Sequence, residues 1–260
     1  KQRSVDHNTL TALAGAQGVS MSEGSLEGKT IAILGLGGSL SDYLMSRLNS
    51  VQFDEVWGIN SVGAVIHVTR TFMMDPAARF LDDIKAGNQT GIAQEFLLQT
   101  PNKGSIYSCC LDDRVPEIVE YPLEEVVAAT TFSYFNNTVA YAVAFAIKEK
   151  VGKINFYGID FSYKHNLHFA EAGRACVEFW CAIAMSRGIR IQVSPASPLM
   201  DSNVPDEEKL YGYHRLDDPL VQTVSNGSLM ISKMSDMSPP EPIDTDPFLF
   251  GREDVEGKSY

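Results

Sequence analysis

Short apolar runs alternate along the chain with longer segments of helical period, and this alternation predicts the elements. Ile31, Ala32, Ile33 and Leu34 are four consecutive apolar positions followed by Gly35, Gly37, Gly38 and Ser39. That is the pattern of a buried strand running through a glycine turn into a capped helix. Leu40, Tyr43, Leu44 and Leu48 give residues 39–49 a helical stripe, and residues 55–59 form a second apolar run that ends on Asn60. A strand, a helix and a strand within about 30 residues predict a parallel βαβ unit. Residues 69–74 read as a third strand closed by Asp75 and Pro76. The proline suits the first turn of a helix running through Leu81.

Residues 87–103 read as a surface excursion, and residues 105–110 as a strand. The stretch 112–135 is mixed, with an edge strand at 118–121. Residues 138–150 are helical, with Val139, Ala142, Val143, Ala146 and Ile147 on one face and Asn136, Asn137 or Thr138 available as the cap. The strand at 153–157 runs into Gly158-Ile159-Asp160. The longest helix, 170–187, has a stripe of Ala172, Ala175, Cys176, Phe179, Trp180 and Ile183, and Gly188 stops it before a strand at 189–193. Alternation from 29 to 193 predicts an α/β fold with a single doubly wound, mostly parallel, Rossmann-like sheet. Ligands of such sheets sit at the carboxyl ends of the strands, which here carry residues 35–39, Asn60, Asp75 and Asp160.

The flanks differ in character. Residues 1–28 are polar and small with a weak helical pattern, and read as a mobile arm before a nucleotide-binding domain at 29–200. Eight of the twelve prolines lie past residue 194, so residues 201–260 read as an extended tail. Phe248, Leu249 and Phe250 are its anchors, to its own body, a neighbouring protein or a second subunit. The net charge of −12 sits mostly there: residues 201–260 hold 13 acidic and 5 basic side chains, a net of −8. An acidic chain without a basic face argues against nucleic acid or an anionic membrane as partner. The 44% hydrophobic content suffices for one large core, and no apolar run reaches membrane-spanning length. Cys109 and Cys110 are adjacent and Cys176 and Cys181 five apart, spacings that match neither a zinc knuckle nor a C-x-x-C pair. Free thiols in a reducing cytoplasm are the expectation.

A glycine turn at a helix start offers backbone N–H groups and the positive helix end to a phosphate. The dinucleotide fingerprint fails, because Leu40 stands at the third glycine position and Asn60 where an acidic residue would hold the ribose. A Walker loop fails as well, with no Gly-Lys-Ser/Thr. Three separated segments carry a resemblance instead: GLGGSL at 35–40, VWGIN at 56–60 and INFYGIDFSYKH at 154–165. Together they resemble the bacterial sialyltransferase and motility-accessory-factor superfamily, and the Met-Met-Asp-Pro at 73–76 is similar to a motif of related pterin pyrophosphokinases. The proline of the family's glycine turn is Gly38 here, and its usual asparagine is Leu36.

The resemblance implies a glycosyltransferase-like protein that passes a sugar from a nucleotide donor to a hydroxyl acceptor without a required cofactor. It implies a nucleotide site made of Gly35, Gly37, Gly38, Ser39, Asn60, Asn137 or Thr138, Tyr157, Asp160 and Tyr163, with His165 or His168 as general base. The alternative is a Mg²⁺-dependent phosphotransferase with Asp75 and Asp160 on the metal. A third reading is a non-catalytic component of a larger assembly, such as that of a bacteriophage in its host's cytoplasm, which the proline-rich tail favours.

Overall fold

In a computed structural model the protein is described over residues 25–83, 90–101, 103–163, 166–212, 220–225 and 227–237. The expected arm at 1–28 falls largely, and the anchors Phe248, Leu249 and Phe250 wholly, outside them. Strands β1 (Thr30–Leu34), β2 (Glu55–Ile59), β3 (Arg70–Phe72), β4 (Ser105–Ser108), β5 (Ile118–Glu120), β6 (Lys153–Tyr157) and β7 (Arg190–Val193) form one sheet in the order β5-β4-β3-β2-β1-β6-β7. Every pairing in it is parallel. The helices are α1 (Leu40–Leu48), α2 (Ala77–Asp82), α3 (Thr90–Gln99), α4 (Leu123–Thr130), α5 (Thr138–Lys148) and α6 (Leu167–Ser186). The fold is the predicted doubly wound α/β sheet.

Strand parity decides the two layers. Ile31 and Ile33 of β1, Trp57 and Ile59 of β2, and Ile154 and Phe156 of β6 point to one face, where α5 and α6 close a large core around Phe145 and Trp180. Ala32, Leu34 and Tyr157 point to the other, under Tyr43 of α1, while Ala77 of α2 and Phe96 of α3 close a neighbouring cluster on Ile106. Burying both faces is what a parallel sheet requires. The chain walks outward from β1 to β5 and then crosses to β6 on the other side of β1. The order therefore reverses between β1 and β6, the place where sheets of this kind hold their ligands.

Five expectations need correction. The surface excursion at 87–103 contains α3, which buries Thr90, Ala93, Phe96 and Leu97. The mixed stretch contains α4, while its expected edge strand is present as β5. Helix α1 exists, but Leu44 and Leu48 of its stripe face outward at 52% and 77% exposure, and only Tyr43 is buried. Helix α6 begins three residues early because the Asn166 side chain accepts the Phe169 N–H at 3.0 Å and caps it there. Within the segment read as an extended tail, strands β8 (Leu220–Ser225) and β9 (Ser228–Lys233) pair as an antiparallel hairpin. Among the described residues no helix is long and apolar enough to cross a membrane.

Candidate functional site

The turns after β1 and β6 are joined backbone to backbone. Gly35 N–H donates to the Tyr157 carbonyl and Gly37 N–H to the Gly158 carbonyl, both at 2.9 Å. A Cβ on Gly35 would stand 2.4 Å from the Gly158 carbonyl oxygen, and one on Gly158 2.2 Å from that of Gly35. Gly158 also has φ +68, which disfavours a side chain. Gly37 is confined by Asp160, whose Oδ2 would lie 2.5 Å from an added Cβ. Gly38 is different: an added Cβ would meet only Asp160 Oδ2, at 3.8 Å. Three glycines are thus required by close approach, and the fourth leaves open space.

Asp160 binds the turn from the other side. Its carboxylate accepts the Ser39 hydroxyl through Oδ1 and the Ser39 N–H through Oδ2 at 2.8 Å, while Ser39 Oγ accepts the Gly158 N–H at 2.8 Å. Both side chains are buried. The hydroxyl of Ser39 is therefore engaged on both sides, and the carboxylate is engaged by Ser39. Further along the turn the N–H groups of Leu40, Ser41 and Asp42 go to the carbonyls of Gly37, Gly38 and Ser39. Only the N–H groups of Leu36 and Gly38 lack a partner among the described residues.

These turns border a cavity of about 350 Å³, which Gly35, Gly37, Gly38, Asn60, Asp160 and Tyr163 all line. Asn60 follows β2 and opens a 3₁₀ turn (Asn60–Ala64) with φ +54, a left-handed conformation that asparagine tolerates better than most residues. Its Oδ1 is buried without a hydrogen-bond partner among the described residues. Tyr163 stands half-exposed at the mouth, its ring edge-on to Phe169 at 5.4 Å. Leu36, Ile59, Val139, Gly158 and Phe161, which the sequence reading did not count among the site residues, also line the cavity. Leu36, Ile59, Gly158 and Phe161 lie beside the recognised motifs, whereas Val139 arrives only because α5 crosses to the switch point. No lysine, arginine or histidine among the described residues lines this cavity.

The remaining expected residues stand elsewhere. Tyr157 packs its ring on Tyr43 and Phe53 beneath α1, and lines a second cavity of about 610 Å³ on that face. Asn137 caps α5 by accepting the Ala140 N–H at 3.1 Å, and its Nδ2 donates to Asn136 Oδ1 and the Gly173 carbonyl. Thr138 is the first residue of that helix. His168 is exposed in the first turn of α6 and does not line the cavity; His165 lies outside the described residues. Asp75 forms an ion pair with Arg79 and does not line the cavity. Among the described residues no three His, Cys, Asp or Glu side chains converge in a way that could hold a metal.

No protein-family model matches the chain, and no curated protein matches it. Solved structures similar to it include the sialyltransferase CstII from Campylobacter jejuni in complex with the substrate analogue CMP-3FNeuAc, at 20% identity over 66% of this chain and 83% of that one, with a TM-score of 0.42. The same enzyme in complex with cytidine-5'-monophosphate is similar at 20% identity over 66% and 82%, with a TM-score of 0.39.

Proposed function

We propose that the chain binds a nucleotide-activated sugar at the β1/β6 switch point and transfers the sugar to a hydroxyl acceptor. The observation that carries this reading is Asn60, which lines the cavity and whose Oδ1 is buried without a hydrogen-bond partner among the described residues. Leaving such a group unpaired costs about 1–3 kcal/mol, and a ribose hydroxyl or a base amino group is the donor a nucleotide would bring to it. The Leu36 and Gly38 N–H groups, beside the positive end of α1, are the donors available to a phosphate.

The charge balance narrows the ligand. The Asp160 carboxylate lines the cavity and holds the turn, so each phosphate charge placed beside it adds repulsion. A sugar joined through a single phosphate suits this site better than a nucleoside diphosphate sugar. His165 or His168 is the group proposed to take the acceptor proton, as the sequence resemblance implies.

The test is calorimetric titration of the full chain, and of Asn60→Gly, with CMP, UDP, GDP, ATP and their sugar conjugates, with and without Mg²⁺. Glycine removes the orphan acceptor and relieves the left-handed backbone, so the variant should fold at least as well and bind at least about tenfold more weakly. Binding strongest for a single-phosphate sugar and indifferent to Mg²⁺ is expected. The proposal fails if none of the nucleotides binds the wild-type chain, or if Asn60→Gly binds as tightly.

A further inference from the structure

Cys109 and Cys110 directly follow β4, at the same carboxyl edge of the sheet as the glycine turn. Both are exposed, and their sulfurs lie 3.9 Å apart. Consecutive side chains of an extended chain point to opposite faces, which would hold the two thiols apart. Here the backbone leaves the strand and bends, and the bend turns both sulfurs to one side. Its root is held: the Ser108 carbonyl accepts the Tyr121 N–H at 2.8 Å, and Ser108 Oγ donates to the Asp75 carbonyl at 3.3 Å. The other two cysteines are buried in α6, and burial pushes the Cys181 thiol up to about 12. No third metal-ligating side chain joins the exposed pair among the described residues, which leaves the two thiols to each other.

We propose that Cys109 and Cys110 are a redox-active vicinal dithiol that closes to a disulfide by exchange with a small-molecule disulfide of the glutathione type. The thiolate of one cysteine attacks a sulfur of oxidised glutathione, forming a mixed disulfide and releasing one glutathione thiolate. The thiolate of the neighbouring cysteine then attacks the protein-side sulfur and releases the second. Two electrons pass from the cysteines to the glutathione disulfide, and the two cysteine protons end on the two glutathione thiols. Closure brings the sulfurs from 3.9 Å to bonding distance, about 2 Å, by rotation of the exposed side chains together with a twist of the Cys109–Cys110 peptide, which becomes part of the eight-membered ring. Burial, and then the neighbouring Cys110, pushes the Cys109 thiol up, so closure accelerates toward alkaline pH.

Trypsin cutting after Lys103 and Arg114 yields peptide 104–114, which holds both cysteines and no others. The folded chain is equilibrated with reduced and oxidised glutathione, quenched by acid and alkylation, and read by mass spectrometry of that peptide. The expected result is loss of two hydrogens from the peptide, reversed by dithiothreitol, with Cys176 and Cys181 unchanged. Because the bend has already brought the sulfurs together, the equilibrium should favour closure at least about tenfold more than in a synthetic peptide of the same sequence. Cys109→Ser should stop at a glutathione adduct on Cys110. An unmodified peptide, glutathione adducts without closure in the wild type, disulfides between chains, or equal closure in the synthetic peptide would each overturn the proposal.

Discussion

Replacing Gly38 and Gly37 one at a time with alanine separates the ligand role of the glycine turn from its folding role. A Cβ at Gly38 meets nothing closer than 3.8 Å, and its φ is not positive. Folding stability should therefore stay within about 0.5 kcal/mol of the wild type, or rise by about 0.4–1 kcal/mol through the lower entropy of the unfolded chain. A Cβ at Gly37 would lie 2.5 Å from Asp160 Oδ2 and 2.7 Å from the Gly158 carbonyl. Ordinary contact starts near 3.4 Å, so a backbone carbonyl and a doubly engaged carboxylate would have to retreat by most of an ångström. Overpacking of this kind costs about 1–3 kcal/mol, which lowers the melting temperature of a domain this size by about 2–4 °C per kcal/mol. Binding should divide the other way, since the Gly38 methyl would stand beside one of the two N–H groups left to a phosphate. Thermal melts give the first quantity and titration with a single-phosphate sugar nucleotide the second. Gly38→Ala should melt like the wild type and bind at least about tenfold more weakly. If it binds at full strength, the phosphate does not sit on this turn; if Gly37→Ala melts unchanged, the close packing against Asp160 is misread.

Three further outcomes concern the scaffold. Arg70 is 3% exposed, and its guanidinium grips both oxygens of Glu55, at 2.6 and 3.1 Å, while donating to the Tyr107 hydroxyl at 2.9 Å. Arg70→Met leaves Glu55 without its cation and should cost about 3 kcal/mol, read from the guanidinium chloride midpoint; a loss below about 1 kcal/mol would show that water already screens the pair. Desolvation raises the Glu55 pKa, but the bonds from Arg70 and Trp57 and the charge of Arg70 outweigh it, so its folded value lies below the usual 4.5. The stabilisation is complete above pH about 4.5 and lost as pH falls through the folded value. Melting temperatures of Glu55→Gln should accordingly fall less steeply with acid than those of the wild type, and parallel slopes would contradict the assignment. Phe96 is fully buried on α3, and Phe96→Ala should cost about 3–5 kcal/mol in denaturant melts, whereas a surface excursion would lose almost nothing.

Amphipathic spacing identifies a face but not what covers it, which explains most of what the sequence concealed. Leu40, Tyr43, Leu44 and Leu48 do lie at helical spacing, yet α1 buries Tyr43 and turns Leu44 and Leu48 outward. In α3 the informative positions Thr90, Ala93, Phe96 and Leu97 are at helical spacing too, but Gly87, Asn88 and Gly91 around its start read as loop punctuation. Tyr157 was misplaced by parity: Asn155 and Tyr157 alternate with Ile154 and Phe156, so its ring goes under α1. The Asn60 and Asp160 positions along the cavity were legible because each lies in the turn that follows a strand, β2 and β6, at the carboxyl edge where topology gathers strand ends whatever the intervening sequence.

The missing third glycine of the fingerprint has a structural reason. In the dinucleotide motif that glycine lets the helix pack closely on its own strand turn, within one βαβ unit. Here the tightest approach is between two turns far apart in sequence, and the glycine that permits it is Gly158, set against Gly35. Leu40 at the fingerprint position faces this glycine: a Cβ on Gly158 would lie 3.1 Å from the Leu40 Cβ. The same approach brings Asp160 two residues later onto Ser39, so the anchor of the turn and a negative charge arrive together. A turn anchored by a carboxylate leaves the Leu36 and Gly38 N–H groups without a partner among the described residues, and a carboxylate at this place repels any anionic charge brought beside it. The selectivity proposed for this site therefore rests on the way its backbone is held in place, before any contact to a base or a sugar is considered.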